Sequence, residues 1–326
     1  MTFQRQWISE TTCFWLKVAL VTSILCGLSI GAVMAAGERL PVGGRLAYNI
    51  GTNIVVMDTE HQLKGSLSPS YRPYQTYYGW DRQGNFAFLS DRDGNTEVYL
   101  WDGSSYTNIS QHPFNDWRPA MSPDGRVAFA SERDGNMEIY VWDRGQLTNV
   151  SQNPATDDYP AWSDDGRLAW VSDRDGENEI YVWDGRNARN VSNDVTGADS
   201  FPSWSPDGRL AWATKTSSMF EIQVWDGGHI VDVADYSEFR HFAWSADGKL
   251  AYDWQGDVYV WDGKNRINVS NDPNGDYTPA WSPDGRLVFV SVRGAHPDLY
   301  IWDGTSIVPF TDDRASESAP VWMPKS

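Results

Sequence analysis

Residues 160–192 read PAWSDDGRLAWVSDRDGENEIYVWDGRNARNVS, and the fold is decided here. Pro160-Ala161-Trp162-Ser163 is a short strand, and Asp164-Asp165-Gly166 is a tight turn in which the glycine can take the positive φ a hairpin needs. Arg167 to Ser172 is apolar at consecutive positions, the pattern of a strand buried on both faces. Asp173-Arg174-Asp175-Gly176 turns the chain again, and Glu179 to Trp183 is a third strand rich in β-formers. After Asp184-Gly185 an edge strand follows around Arg189-Asn190-Val191-Ser192. Four antiparallel strands joined by hairpins make one propeller blade.

The unit repeats outward in both directions. Trp-Asp recurs at Trp101-Asp102, Trp142-Asp143, Trp183-Asp184, Trp225-Asp226, Trp261-Asp262 and Trp302-Asp303, at spacings of 41, 41, 42, 36 and 41 residues. In phase with it run the turns opened by Ser122, Ser163, Ser205, Ser245 and Ser282, each closing on a glycine three residues later. Strands two to four begin near Arg45, Asn85, Arg126, Arg167, Arg209, Lys249 and Arg286, while strand one recurs around Trp80, Met121, Trp162, Trp204, Trp244, Trp281 and Trp322. The first triplet has no strand one before it, and the last strand one has no triplet after it. Together they complete a blade. The expectation is an all-β, seven-bladed β-propeller of four-stranded antiparallel blades over 45–323, closed by pairing of the N- and C-terminal strands.

Charge narrows the partners. The 326 residues carry 26 Lys+Arg against 44 Asp+Glu, a formal charge of −18, and no basic run, which excludes nucleic acid as an expected partner. At the N-terminus, residues 1–36 read as a signal peptide or an N-terminal membrane anchor. Arg5 and Lys17 precede an uncharged, largely apolar stretch over 18–36, with small residues at Val33-Met34-Ala35 placed for a signal peptidase. The stretch is also long enough to span a bilayer, so cleavage and retention both stay open. Either way the propeller is expected outside the cytoplasm, as a periplasmic, cell-surface or secreted domain that meets a membrane only through an uncleaved 18–36. The two cysteines, Cys13 and Cys26, lie in or beside that segment, so no disulfide is expected in the propeller.

The phrase P-A-W-S-(P/D)-D-G-R-L-A-(F/W)-x-S-(D/E)-R-D-G-(N/E)-x-E-I-Y-V-W-D resembles the repeat of the TolB-like propellers, and the resemblance covers about 45–323. WD-repeat propellers are a more distant likeness: they share the Asp-Gly turn and the Trp-Asp ending but usually carry a Gly-His pair, which no unit here has. TolB itself places an α/β domain before a six-bladed propeller. Only some eight residues separate Ala36 from the first strand here, so a role in the Tol envelope system does not follow from the resemblance.

Nothing in the chain announces catalysis. A G-x-S-x-G match at Gly27 to Gly31 sits inside the export segment, and the five histidines have no metal-ligand spacing. Acidic turns such as Asp91-Arg92-Asp93-Gly94 resemble calcium loops, but their counterparts in later blades are not acidic and a plain hairpin accounts for them. Asn-x-Ser at Asn108, Asn149, Asn190 and Asn268 falls on fourth strands and is a weak glycosylation signal. No catalytic residue, metal or cofactor is therefore expected.

The informative column precedes strand one. Asp116, Asp157, Asp199, Asp276 and Glu317 stand three residues before the strand-opening proline, followed by Trp117, Tyr159, Phe201 and Tyr277; Arg118, Arg240 and His241 break the repeat. With strand one innermost, Asp116, Trp117, Arg118, Asp157, Tyr159, Asp199, Phe201, Arg240, His241, Asp276 and Tyr277 would ring a channel mouth suited to sugars, peptides or cations. The plainer alternative makes each Asp a loop cap and each aromatic a wedge between blades. The expected function is a monomeric extracytoplasmic scaffold that binds a protein segment or an envelope glycan. The alternatives are a propeller hydrolase or lyase acting on polysaccharide and a structural envelope protein.

Overall fold

The computed structural model describes residues 44–50, 53–57, 63–67, 78–193, 197–217, 219–236, 241–311 and 315–324, all within one unit spanning 34–326. Residues 1–36, expected from the sequence to be a signal peptide or an anchor, and Arg240 lie outside the described residues. Seven four-stranded antiparallel sheets form. The stretch read first makes blade 4, with Asp157–Trp162, Leu168–Ser172, Glu179–Trp183 and Ala188–Asn190 pairing in that order. Blades 2, 3, 5, 6 and 7 occupy 78–108, 116–149, 198–236, 242–268 and 276–309. Blade 1 joins the two ends of the chain: Glu317–Trp322 lies beside Leu46–Ile50, with Leu46 opposite Trp322 and Ala47 opposite Val321.

Burial explains the order of strands. Leu168–Ser172 is buried at every position, whereas Ala188–Asn190 is exposed at its first two, so the apolar run sits inside the blade and the polar one at its rim. First strands of successive blades touch, which places them around the axis. Between blades 4 and 5, Val171 and Ile180 pack with Trp204, Leu210, Trp212 and Trp225. At the closing seam, Ala47, Ile54 and Val56 pack with Trp80, Phe86 and Phe88, and Trp80 Nε1 donates to Val321 O at 3.4 Å. Each apolar side chain of this size contributes roughly 1.5–3 kcal/mol when fully buried, and the seams collect many of them.

The repeated polar letters are the blade's internal fastenings. Asp184 Oδ1 accepts the backbone N–H of Arg186 at 2.9 Å and of Asn187 at 2.8 Å, ordering the turn after the Trp-Asp pair. Ser192 Oγ accepts Ile180 N–H at 2.9 Å and donates to Glu179 at 2.6 Å, while Asn190 donates to Asp175 at 3.0 Å. Tyr181 hydroxyl donates to the same Asp175 carboxylate. The Asn-x-Ser signature and the acidic turn are thus two ends of one strand-clamping network.

Candidate functional site at the channel mouth

The residues of the sequence-predicted ring separate into three groups. The acids are buried: Asp116, Asp157 and Asp276 are 0% exposed, Asp199 1% and Glu317 1%, so a ligand at the mouth would not meet these carboxylates directly. Three of them are neutralised from their own blade. Arg133 Nη2 lies 3.1 Å from Asp116, Arg174 Nη2 2.9 Å from Asp157, and Arg293 Nη2 3.0 Å from Asp276. The arginine comes from the turn between strands two and three. Its Nε donates to the serine two residues earlier, at 2.8 Å in the Arg174–Ser172 pair, and its guanidinium stacks 4.3 Å over Tyr181. Burial pushes the Asp276 carboxyl above the ordinary range even with Arg293 beside it. In blade 5, where no arginine occupies that turn, Thr214 Oγ1 donates to Asp199 at 2.7 Å.

The second group follows each acid directly and still pairs with the second strand, as Trp117 does with Ala130 and Tyr277 with Val290. Trp117 packs against the core shared by blades 3 and 4, which makes it a wedge.

The third group stands immediately before the proline and carries the geometry of the site. Arg118, Tyr159, Phe201, Thr278 and Ala319 all have positive φ, between 51° and 56°. The ladder slips at each of them, so each is the extra residue of a β-bulge that re-aims its side chain. A left-handed conformation costs a non-glycine residue about 1–3 kcal/mol and persists only where its surroundings impose it. On one side of the ring these residues interlock. Arg118 lies 4.0 Å over the Tyr159 ring, its Nη2 donates to Tyr159 hydroxyl at 3.1 Å, its Nη1 meets Asp158 at 2.5 Å, and Tyr159 meets Phe201 edge-on at 4.8 Å. Burial raises the Asp158 carboxyl, and Arg118 only partly offsets it.

On the other side the column holds His241, Thr278 and Ala319, and a cavity of about 300 Å³ opens there, walled by the first strands of blades 6, 7 and 1. Trp244, Trp281 and Trp322 contribute to its wall. Behind His241 stands Asp253, 5% exposed, with its Oδ2 3.8 Å from His241 Nδ1 and its Oδ1 accepting His241 N–H at 2.8 Å. Asp158, Asp253, Thr278 and Ala319 were not among the residues singled out from sequence. Three of the four fall in or beside the columns just before the proline, where an alignment on that proline alone would have found them.

Among the described residues of the column, no hydroxyl is hydrogen-bonded to a histidine. Among the described residues no cluster of three or more His, Cys, Asp or Glu could hold a metal.

Comparison with known proteins agrees with the propeller fold. No curated protein matches the chain in sequence. In structure it is similar to TolB from Acinetobacter baumannii, at 20% identity over 87% of this chain and 67% of that one, with a TM-score of 0.54. It is also similar to the β-propeller domain of the Trilobed protease from Pyrococcus furiosus, at 13% identity, 83% and 94% coverage and a TM-score of 0.61. A third likeness is the acylaminoacyl peptidase of Pyrococcus horikoshii, at 13% identity and a TM-score of 0.60, where 86% of this chain spans 52% of the enzyme. These likenesses establish the fold alone. The family model of the TolB β-propeller domain matches residues 47–231, more than half of the chain, and the chain belongs to that family.

Proposed function

We propose that the chain is an extracytoplasmic binding scaffold whose channel mouth takes a segment of a protein or of an envelope glycan. The observation that carries this reading is the bulged column. The fold spends strain in five blades to turn Arg118, Tyr159, Phe201, Thr278 and Ala319 out of the ladder, and a cavity of about 300 Å³ lies beside that column. The apolar, uncharged run at 18–36 supports export of the propeller.

The test is affinity capture with the full chain, read by mass spectrometry, followed by the same capture with Tyr159→Ala and Trp117→Ala. Tyr159→Ala should weaken a captured ligand by about 1–3 kcal/mol if the ring is an anchor. Both variants should lower the melting temperature, because Trp117 packs on the core of blades 3 and 4 and Tyr159 on that of blades 4 and 5, so loss of capture is compared at equal folded fraction. Capture no better than that of an unrelated propeller would remove the proposal.

A second reading, the propeller of a larger hydrolytic enzyme, draws on the likeness to the two archaeal proteins, one of which this chain spans to about half its length. Co-purification of a catalytic domain with the full chain would support it.

A further inference from the structure

We propose that the group entering the channel cavity is a primary ammonium, held by His241 and Trp walls with Asp253 as its counter-ion; this rests on the channel-binding reading above. The starting observation is a break in the repeat. Asp253 pairs with Val258 on the third strand, in the column that holds Leu89, Ala130, Val171, Ala213 and Val290 in blades 2, 3, 4, 5 and 7. Blade 6 has therefore placed a carboxylate where five other blades bury an apolar side chain.

That carboxylate is not compensated in the way its neighbours are. Asp116, Asp157 and Asp276 each have an arginine within 3.1 Å, whereas Asp253 has no Arg or Lys partner among the described residues. Its Oδ2 and His241 Nδ1 are both buried, face each other at 3.8 Å, and have no hydrogen-bond partner among the described residues. An isolated buried charge is costly unless an opposite charge is drawn to it.

The surroundings select the sign and shape of that charge. The His241 side chain is 42% exposed and lines the cavity. A carboxylate beside Nδ1 favours the tautomer protonated there, which leaves Nε2 as an acceptor for a ligand N–H. Trp244, Trp281 and Trp322 are among the residues lining the cavity, and the chain's charge of −18 raises the local concentration of cations. An alkylammonium, from a lysine side chain or a peptide amino terminus, suits both the His241 acceptor and the Asp253 charge behind it.

The experiment is calorimetric titration of the full chain in detergent with Nα-acetyl-lysine methylamide and, separately, with the same compound acetylated on Nε. The first should bind and the second should not. Asp253→Asn keeps the acceptor for His241 N–H and removes the charge, so it should weaken the probe roughly tenfold or more without lowering the melting temperature. If that variant does not fold, His241→Ala, at a partly exposed position, should weaken the probe in its place. Equal binding of the two compounds, equal binding by either folded variant, or no binding of the amine at millimolar concentration overturns the proposal. In that event, continued capture of a ligand sensitive to Tyr159→Ala would leave the scaffold reading standing, and loss of both would end both. A peptide with a blocked amino terminus and no lysine identifies the source: competition by it would contradict the ammonium, and competition by lysine alone or by a free amino terminus alone would assign it.

Discussion

Arg209 of blade 5 donates from Nη2 to Gly248 O of blade 6 at 2.6 Å, with its guanidinium 4.8 Å over Trp244 of that same blade. Arg167 makes the same crossing to Gly208 and Trp204, so the seams are fastened by a repeated arginine as well as by apolar packing.

Gly248 is consequently both left-handed, at φ +80°, and crowded, since a Cβ there would stand 2.5 Å from Arg209 Nη2. Gly248→Ala should cost about 1–3 kcal/mol from backbone strain and more from displacing the arginine. Gly263, at φ +96°, would place its Cβ in open space, so Gly263→Ala should cost the strain alone. Urea unfolding of the two variants compares them directly; equal losses would mean that the arginine does not lock the seam.

The buried acids make a sharper prediction. Asp157 is fully buried, with Arg174, Trp170 and Asn153 directed at its oxygens at 2.9, 3.0 and 2.5 Å. Arg174→Met should cost about 3–5 kcal/mol by stranding the carboxylate, and adding Asp157→Asn to it should recover part of the loss. A double variant no more stable than the single one would show that the pair acts through something other than charge.

Ring closure runs through the strand Glu317–Trp322. Deleting residues 319–326 removes Val321 and Trp322 from their pairing with Ala47 and Leu46, and strips the cover from the blade 1 side of the seam with blade 2. The melting temperature should fall sharply. A truncated chain that melts like the intact one would contradict closure by the two termini.

Acid should unfold the propeller through the turn carboxylates. Backbone N–H groups and hydroxyls hold Asp102 and Asp303 well below the ordinary 3.8, and Tyr hydroxyls lower Asp93, Asp134 and Asp175. A folded-state value below the unfolded one gives stability that is complete above the unfolded value and lost as pH falls through the folded one. Burial raises Glu97, Asp158 and Asp276, which act in the opposite sense but are outnumbered. The urea midpoint should therefore decline between about pH 5 and about pH 2. At the alkaline end, burial and then Asp93 push the Tyr99 hydroxyl up to about 12, so its contribution holds below the ordinary 10.0 and disappears as pH rises through the folded value. A midpoint flat across the acid range would contradict the clamping role of these turns.

The blades, their number and their closure were legible because each strand repeats a burial pattern that residue type records directly, as in Leu168–Ser172. The site was less legible, for three physical reasons. The bulge is a backbone event shared by Arg118, Tyr159, Phe201, Thr278 and Ala319, whose side chains have nothing in common. The burial of Asp157 depends on Arg174, 17 residues later, so the acid looked like a mouth residue until its partner was placed. Asp253 sits in the blade with the short spacing of 36, where the missing residues in its turn disguise its column. The acidic–aromatic ring thus resolves into buried acids, interblade wedges and one bulged column, of which Thr278 and Ala319 line the cavity.

The central claim, that the channel beside this column binds a ligand, is tested most directly by filling the cavity. Thr278 lines it at φ 52°, and Tyr159 already shows that the same bulge position accepts a tyrosine at φ 56°. Thr278→Tyr should therefore fold with an unchanged melting temperature while ligand capture by the full chain is lost. A stable Thr278→Tyr variant that captures the same ligand as strongly as the original chain would contradict the account.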